Sequence, residues 1–376
     1  MDINEIRAVL RGHWAFRLFN RFSRIPSPFV ASAISVVIFV VGAVASLFVG
    51  AFSTYATNPI PYIFLVLLPV GFMAFAWWTK TLVRMLHSVY PAMEVTQVEY
   101  KAIIERWDRS RLHRPWAIAL GGLPLALANL NEIVTNWRSA NPVPIYASWA
   151  TSPASLFFGI WLIVLTVIVA GFVLGSGLVG IIATILLVRS VLQWPLRLAY
   201  CRQLRAVSGL GVGLATWSIL ALAAVLLFPD PILLVEVDLT ATFVGAVLEA
   251  ALGLTALACS FGPPFLFSHQ AVVDAKAVRL AELASVQDYI FGRMSQYAQR
   301  AVRLEFQDKN HRAQLLNQLE TLHNESTIVN ELVREIDDIS AWPISIPSLA
   351  RLFGSAMVAI LPSTAPWLIS QAVAGR

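Results

Sequence analysis

The sequence predicts an all-α fold: a polytopic transmembrane helical bundle of about six to seven spans with a cytoplasmic helical hairpin. Composition is the first reason. Of 376 residues, 57% are hydrophobic and 13% are charged, roughly half the ~25% charge of a soluble domain. The second is that the apolar residues gather in runs close to the roughly 20 residues a membrane crossing needs. The third is that the arginines sit beside those runs, where they set orientation.

Residues 1–25 read as a cytoplasmic amphipathic helix. Ile6, Leu10, Trp14, Leu18 and Phe22 recur every fourth residue, with Arg7, Arg11, Arg17, Arg21 and Arg24 supplying charge. Such a helix suits the headgroup layer, its apolar face dipping inward. Pro26 and Pro28 end it. The transmembrane bundle is expected over 26–267. Its first span, about 29–52, holds no charge. Ala43 and Ala45 resemble a signal-peptide cleavage site, but the apolar run continues past them, which favours an uncleaved helix. A second span, about 60–79, ends in Trp77 and Trp78 beside Lys80 and Arg84, an aromatic belt with a basic anchor.

Residues 80–115 are polar, with Glu105 and Arg109 spaced as on an exposed helix. The third span, about 116–137, is the weakest, because Gly121, Gly122 and Pro124 precede Asn129, Asn131 and Glu132. It crosses inside the bundle or re-enters. The run at 155–188 is long for one crossing. A helix of its length reaches on the order of 50 Å against a core of about 30 Å, so it must tilt, protrude or break. Gly171, Gly175, Gly177 and Gly180 mark the place for a helix crossing or hinge. Spans at about 210–228 and 242–267 follow, the latter carrying Glu249 and ending at Pro263 and Pro264.

Residues 268–342 are the polar segment, expected to form an antiparallel helical hairpin or helices that assemble between subunits. Leu283, Val286, Ile290, Met294, Tyr297, Ala301 and Leu304 make one stripe, and Leu315, Leu319, Leu322, Val329, Val333 and Ile336 a second, with Ser326 in its gap. Asp308 to Arg312 is the turn between them. Residues 343–376 are apolar but broken by Pro362 and Pro366, a kinked span or a re-entrant hairpin.

Charge sets the expected orientation. With the N-terminus in the cytoplasm, segments 1–25, 80–115, 189–209 and 268–342 hold 24 of the 27 basic residues. The reverse orientation would place them outside, against the positive-inside rule. A multi-pass cell-membrane protein with a cytoplasmic N-terminus is the expected localisation.

Glu249 is the sharpest functional candidate. A carboxylate within a span is costly, and faces either a cavity or a neighbouring helix. Glu132, Asn129 and Asn131 form a second polar cluster and complete the set of pore or ion-pathway candidates. No P-loop, G-x-S-x-G, H-E-x-x-H or paired C-x-x-C occurs, so no catalytic residue, cofactor or metal site is expected. Cys201 and Cys259 read as free thiols. The hairpin carries more acidic than basic residues, and no nucleic-acid partner is expected. The expected partners are the lipid bilayer, further copies in a homo-oligomer, and a cytoplasmic protein docking on 268–342. The expected function is an oligomeric ion channel or pore with a sensing or assembly hairpin. A secondary transporter and a non-transporting scaffold are the alternatives.

Overall fold

In the computed structural model, residues 1–22, 25–57, 59–110, 171–227, 239–303 and 309–342 are described, together with the single positions Leu123, Trp161, Ala350 and Gly354. The expected span 116–137 and tail 343–376 fall outside them apart from Leu123, Ala350 and Gly354. Every regular element among the described residues is helical. They are α1 (Ile3–Val9), α2 (Trp14–Arg21), α3 (Ser27–Phe48), α4 (Phe52–Thr57), α5 (Pro59–Val89), α6 (Gln97–Asp108), α7 (Gly171–Leu192), α8 (Arg205–Leu227), α9 (Leu239–Arg303) and α10 (Lys309–Asp338). Short 3₁₀ turns at Tyr90–Ala92 and Leu198–Leu204 complete the set.

Among the described residues, two helices are long and apolar enough to cross a membrane: α3, and α7 through its stretch Gly175–Leu192. In α3 the two faces differ by side-chain size. Val30, Ala31, Ser35, Gly42 and Ser46 are buried toward the protein, and small residues there let α3 lie close against α5. Val36, Val37, Val40, Val41, Val44, Leu47 and Phe48 are all exposed on the other side. Ser35 and Ser46 donate to the carbonyls of Ala31 (3.2 Å) and Ala43 (2.7 Å), so neither carries an unsatisfied hydroxyl. The helix ends at Gly50, whose φ of +71° only glycine adopts easily.

The N-terminal segment departs from expectation. It is two short helices, with a break at Leu10–His13, and its apolar face is covered by protein. Ile6, Leu10, Ala15, Phe16 and Phe19 join a core with Leu82, Leu86 and Val89 of α5 and Tyr100, Ile104 and Trp107 of α6. Apolar periodicity reports only that a face is buried; here it is buried by the chain itself. The break is held from outside: the Gly12 amide donates to both carboxylate oxygens of Asp108 (2.7 and 2.8 Å). A β-carbon at Gly12 would collide with the Asp108 carbonyl oxygen.

The helix α5 runs ten residues past the expected end of its span, because Leu82, Val83, Met85, Leu86 and Val89 face this core. Trp78 is likewise interior, 4% exposed. It is covered by α2 and donates through Nε1 to Thr184 Oγ1 of α7 (2.9 Å). It therefore does not belong to a lipid-facing belt. Thr96 and Glu99 close a reciprocal cap at the start of α6, and hydrogen bonds from Thr96 hold the Glu99 carboxyl below its ordinary value. A depressed folded-state value contributes stability above the ordinary carboxylate range and loses it as pH falls through the folded value. The first turn of α6 should then gain hydrogen exchange, corrected for intrinsic rates, on acidification. Thr96→Ala should remove that pH dependence; an unchanged profile would exclude the cap as its origin.

The second departure is larger. The sequence reading ends a span at Pro263 and Pro264, yet both lie inside α9, which continues to Arg303. Proline removes a backbone donor and strains the preceding turn, but α8 packs along this region and supports it. Gly211 of α8 approaches Pro264 and the Ser260 carbonyl so closely that a β-carbon would lie 3.3 Å from each. Ser260 and Ser218 share a hydroxyl contact of 3.2 Å. Ser268 donates to the carbonyl of Pro264. A 65-residue helix extends on the order of 100 Å, so well over half of it must stand outside any hydrocarbon core of about 30 Å.

Candidate functional site

The outer part of α9 pairs antiparallel with α10. Gln287 Nε2 donates to Asn330 Oδ1 (3.0 Å), and Lys276 Nζ donates to the Asp337 carbonyl (2.9 Å). At the base, the His269 ring stacks on Trp342 at 3.9 Å between centroids. Ile290 and Ala301 of the first stripe are buried, as are Leu315, Ser326 and Val329 of the second. Val286 points outward, 45% exposed, and Gln287 takes its inward place. Periodicity alone could not choose between these adjacent residues.

Where α9 leaves the apolar bundle, it meets two connecting segments. These are tied together by an isolated antiparallel bridge between Met93 and Leu196. The Glu94 amide donates to the Pro195 carbonyl (2.8 Å), and that of Arg197 to the Ala92 carbonyl (2.8 Å). Val272 of α9 is 1% exposed and belongs to the same core as Leu196, Cys201 and Leu204. Above it opens a cleft of about 780 Å³ between α9 and the turn after α7. Asp274, Arg279 and Glu282 line one wall; Glu94, Arg189 and Trp194 line the other.

Arg279 spans this joint. Its guanidinium meets Glu282 Oε2 at 2.7 Å and Glu94 Oε1 at 3.4 Å. Glu282 first and Glu94 second raise its affinity for its proton further. These side chains are close to half exposed, so screening leaves the bridge little strength, and it serves more to set register than to hold the parts together. Cys201 lies beneath, 6% exposed. Burial pushes its thiol up, and the nearby Lys276 ammonium partly opposes that. Both α7 and α8 pack on α9.

The sequence candidates lie elsewhere. Glu249 falls on α9, fourteen residues before Pro263, on the same unbroken helix as Arg279; its side-chain surroundings lie outside the described set. Asn129, Asn131 and Glu132 are wholly outside it. Gly171, Gly175, Gly177 and Gly180 occupy the first half of α7. A β-carbon at Gly180 would rest 3.7 Å from the Trp78 ring, an ordinary contact, and one at Gly177 would meet nothing within 4 Å. Neither position requires glycine for packing. Besides Gly12 and Gly211, close approaches occur at Gly42, against Trp161 and Tyr55, and at Gly213, against the Trp77 ring. Sequence reading missed Gly42 and Gly213 because each contact joins residues distant along the chain. Among the described residues, no group of three His, Cys, Asp or Glu side chains could hold a metal ion. No family model, curated protein or solved structure matches the chain.

Proposed function

We propose that this chain is a multi-pass membrane protein of transport class, an ion channel or pore whose cytoplasmic hairpin controls the conducting part. The unbroken course of α9 carries this reading. One continuous helix bears Glu249 in its apolar portion and the first arm of the hairpin, Leu283 to Ala301, in its polar portion, so the two ends are joined without an intervening loop. The exposed stripe of valines on α3 supports the membrane setting, since water would not favour a contiguous apolar face of that kind. The basic end then lies in the cytoplasm. On this reading α5, α8 and the first part of α9 supply further spans beside α3 and α7.

The test is ion flux from liposomes holding the full chain, comparing wild type with Glu249→Gln. Flux that falls by about tenfold with the substitution places Glu249 on the pathway. A correctly inserted wild type that passes no ion sinks the proposal. A second reading, a scaffold that docks a protein partner, draws on Val286, Tyr289, Phe291, Ile328 and Leu332, all exposed on the hairpin. Its test must alter these outward residues, because Leu315 and Val329 hold the hairpin together. Binding lost on changing Tyr289 and Phe291 to serine, with no flux in wild type, would select it.

A further inference from the structure

The folding of the N-terminal segment leaves its charged side with a shape of its own. Because the apolar faces of α1 and α2 turn inward, their arginines face out together across the break at Gly12. Asn4, Arg7, Ala8 and Arg11 from α1, with Arg17 and Asn20 from α2, enclose a groove of about 450 Å³. Three guanidinium groups and two carboxamides line it, and no carboxylate does. Among the described residues, no acidic side chain forms an ion pair with Arg7, Arg11 or Arg17. The acidic residues of α1 are directed away: Asp2 and Glu5 serve its N-terminal cap, and Glu5 also receives Gln97 Nε2 (3.1 Å). Arg17 Nη2 donates to the Gly12 carbonyl at 3.4 Å, which leans its fork over the break.

From this arrangement we infer that the α1–α2 groove is a binding site for a phosphate-bearing anion, the headgroup of an acidic phospholipid or a soluble phosphate compound. Guanidinium forks match phosphate oxygens in pairs, and carboxamide N–H groups add donors to the same oxygens. The elbow holds the three backbone positions around one groove before the ligand arrives, and Arg17 is tied to the Gly12 carbonyl, so part of the ordering is already in place. Its position fits the lipid source. Asn20 lies seven residues before Ser27, where α3 begins; Phe22, Ile25 and Phe29 between and beyond are 39%, 48% and 69% exposed. Lys80 Nζ donates to Ser27 Oγ (2.9 Å) at the same end. The lipid source rests on the membrane reading; the anion site does not.

The experiment uses the full chain in neutral detergent, with phosphatidylglycerol, phosphatidylcholine and inorganic phosphate as probes. Native mass spectrometry is expected to show one phosphatidylglycerol retained in preference to phosphatidylcholine. The triple variant Arg7→Gln/Arg11→Gln/Arg17→Gln should bind it about tenfold or more weakly, since charge-assisted contacts dominate. Arg21→Gln, outside the groove, should bind as wild type. Displacement of the lipid by inorganic phosphate at about millimolar concentration, the strength of simple ion contacts, assigns a soluble phosphate compound; resistance assigns the lipid. Equal binding by wild type and triple variant overturns the site. Should the variant fail to fold, phenylglyoxal modification of wild-type Arg11 decides instead: protection by either anion supports the site, and protection by neither overturns it. The site can hold while the flux proposal fails, because its readout involves no transport.

Discussion

Replacing Trp78 with alanine is expected to lower unfolding stability by about 3–5 kcal/mol, the cost of emptying a large aromatic site in a packed core. The ring centroid of Trp78 lies 5.1 Å from that of His13 and 5.3 Å from that of Phe16, with Phe75 at 6.4 Å. Its indole N–H is committed to Thr184, whose own hydroxyl donates to the Gly180 carbonyl (2.7 Å). One side chain thus joins α2, α5 and α7. Thr184→Val isolates the polar part, leaving the indole N–H buried without its acceptor at a cost of about 1–3 kcal/mol. Denaturant unfolding in detergent, followed by near-ultraviolet circular dichroism, measures both. A Trp78→Ala variant within about 0.5 kcal/mol of wild type, the range of an ordinary surface change, would show that the N-terminal helices do not dock on α5.

Inserting one alanine between Gln270 and Ala271 should uncouple the hairpin. A single added residue turns everything beyond it by about 100° and advances it 1.5 Å. Val272 then leaves the core, Arg279 leaves Glu94, and the cover over Cys201 opens. In a Cys259→Ser background, maleimide reaction at Cys201 should rise by about tenfold or more, as exposure and relief of burial both favour the thiolate. An insertion of four alanines returns the face to within about 40° of its original direction and should raise reactivity much less. Equal reactivity for both insertions would mean that the direction of the α9 face is irrelevant, and coupling through the joint would fail with it. If the joint controls conduction, the single insertion also makes flux insensitive to changes in the hairpin.

The N-terminal arginines show why part of the candidate chemistry could be read early and part could not. Five cations in the first 25 residues are plain in the sequence. That Arg7, Arg11 and Arg17 share one groove depends on the break at Gly12 and the grip of Asp108, which lies 96 residues away. The reading of Glu249 rests on composition alone, because a carboxylate in an apolar run is visible without any partner. The joint at Glu94, Arg189 and Arg279 carried no such signal, since exposed charges on separate segments look alike until folding brings them together.

By itself the sequence determined that the chain is helical, where its apolar runs lie, and that 268–342 carries two apolar stripes at helical spacing. These are local properties, fixed by side-chain period and hydropathy within a few turns. Tertiary structure alone decided what covers each apolar face and where each helix ends. Trp78 was packed inward because α2 and α7 supply its cage. α9 passed through Pro263 and Pro264 because α8 supports the backbone there. A proline weakens a helix by a fixed local amount, and whether the helix yields depends on neighbours that no local pattern records.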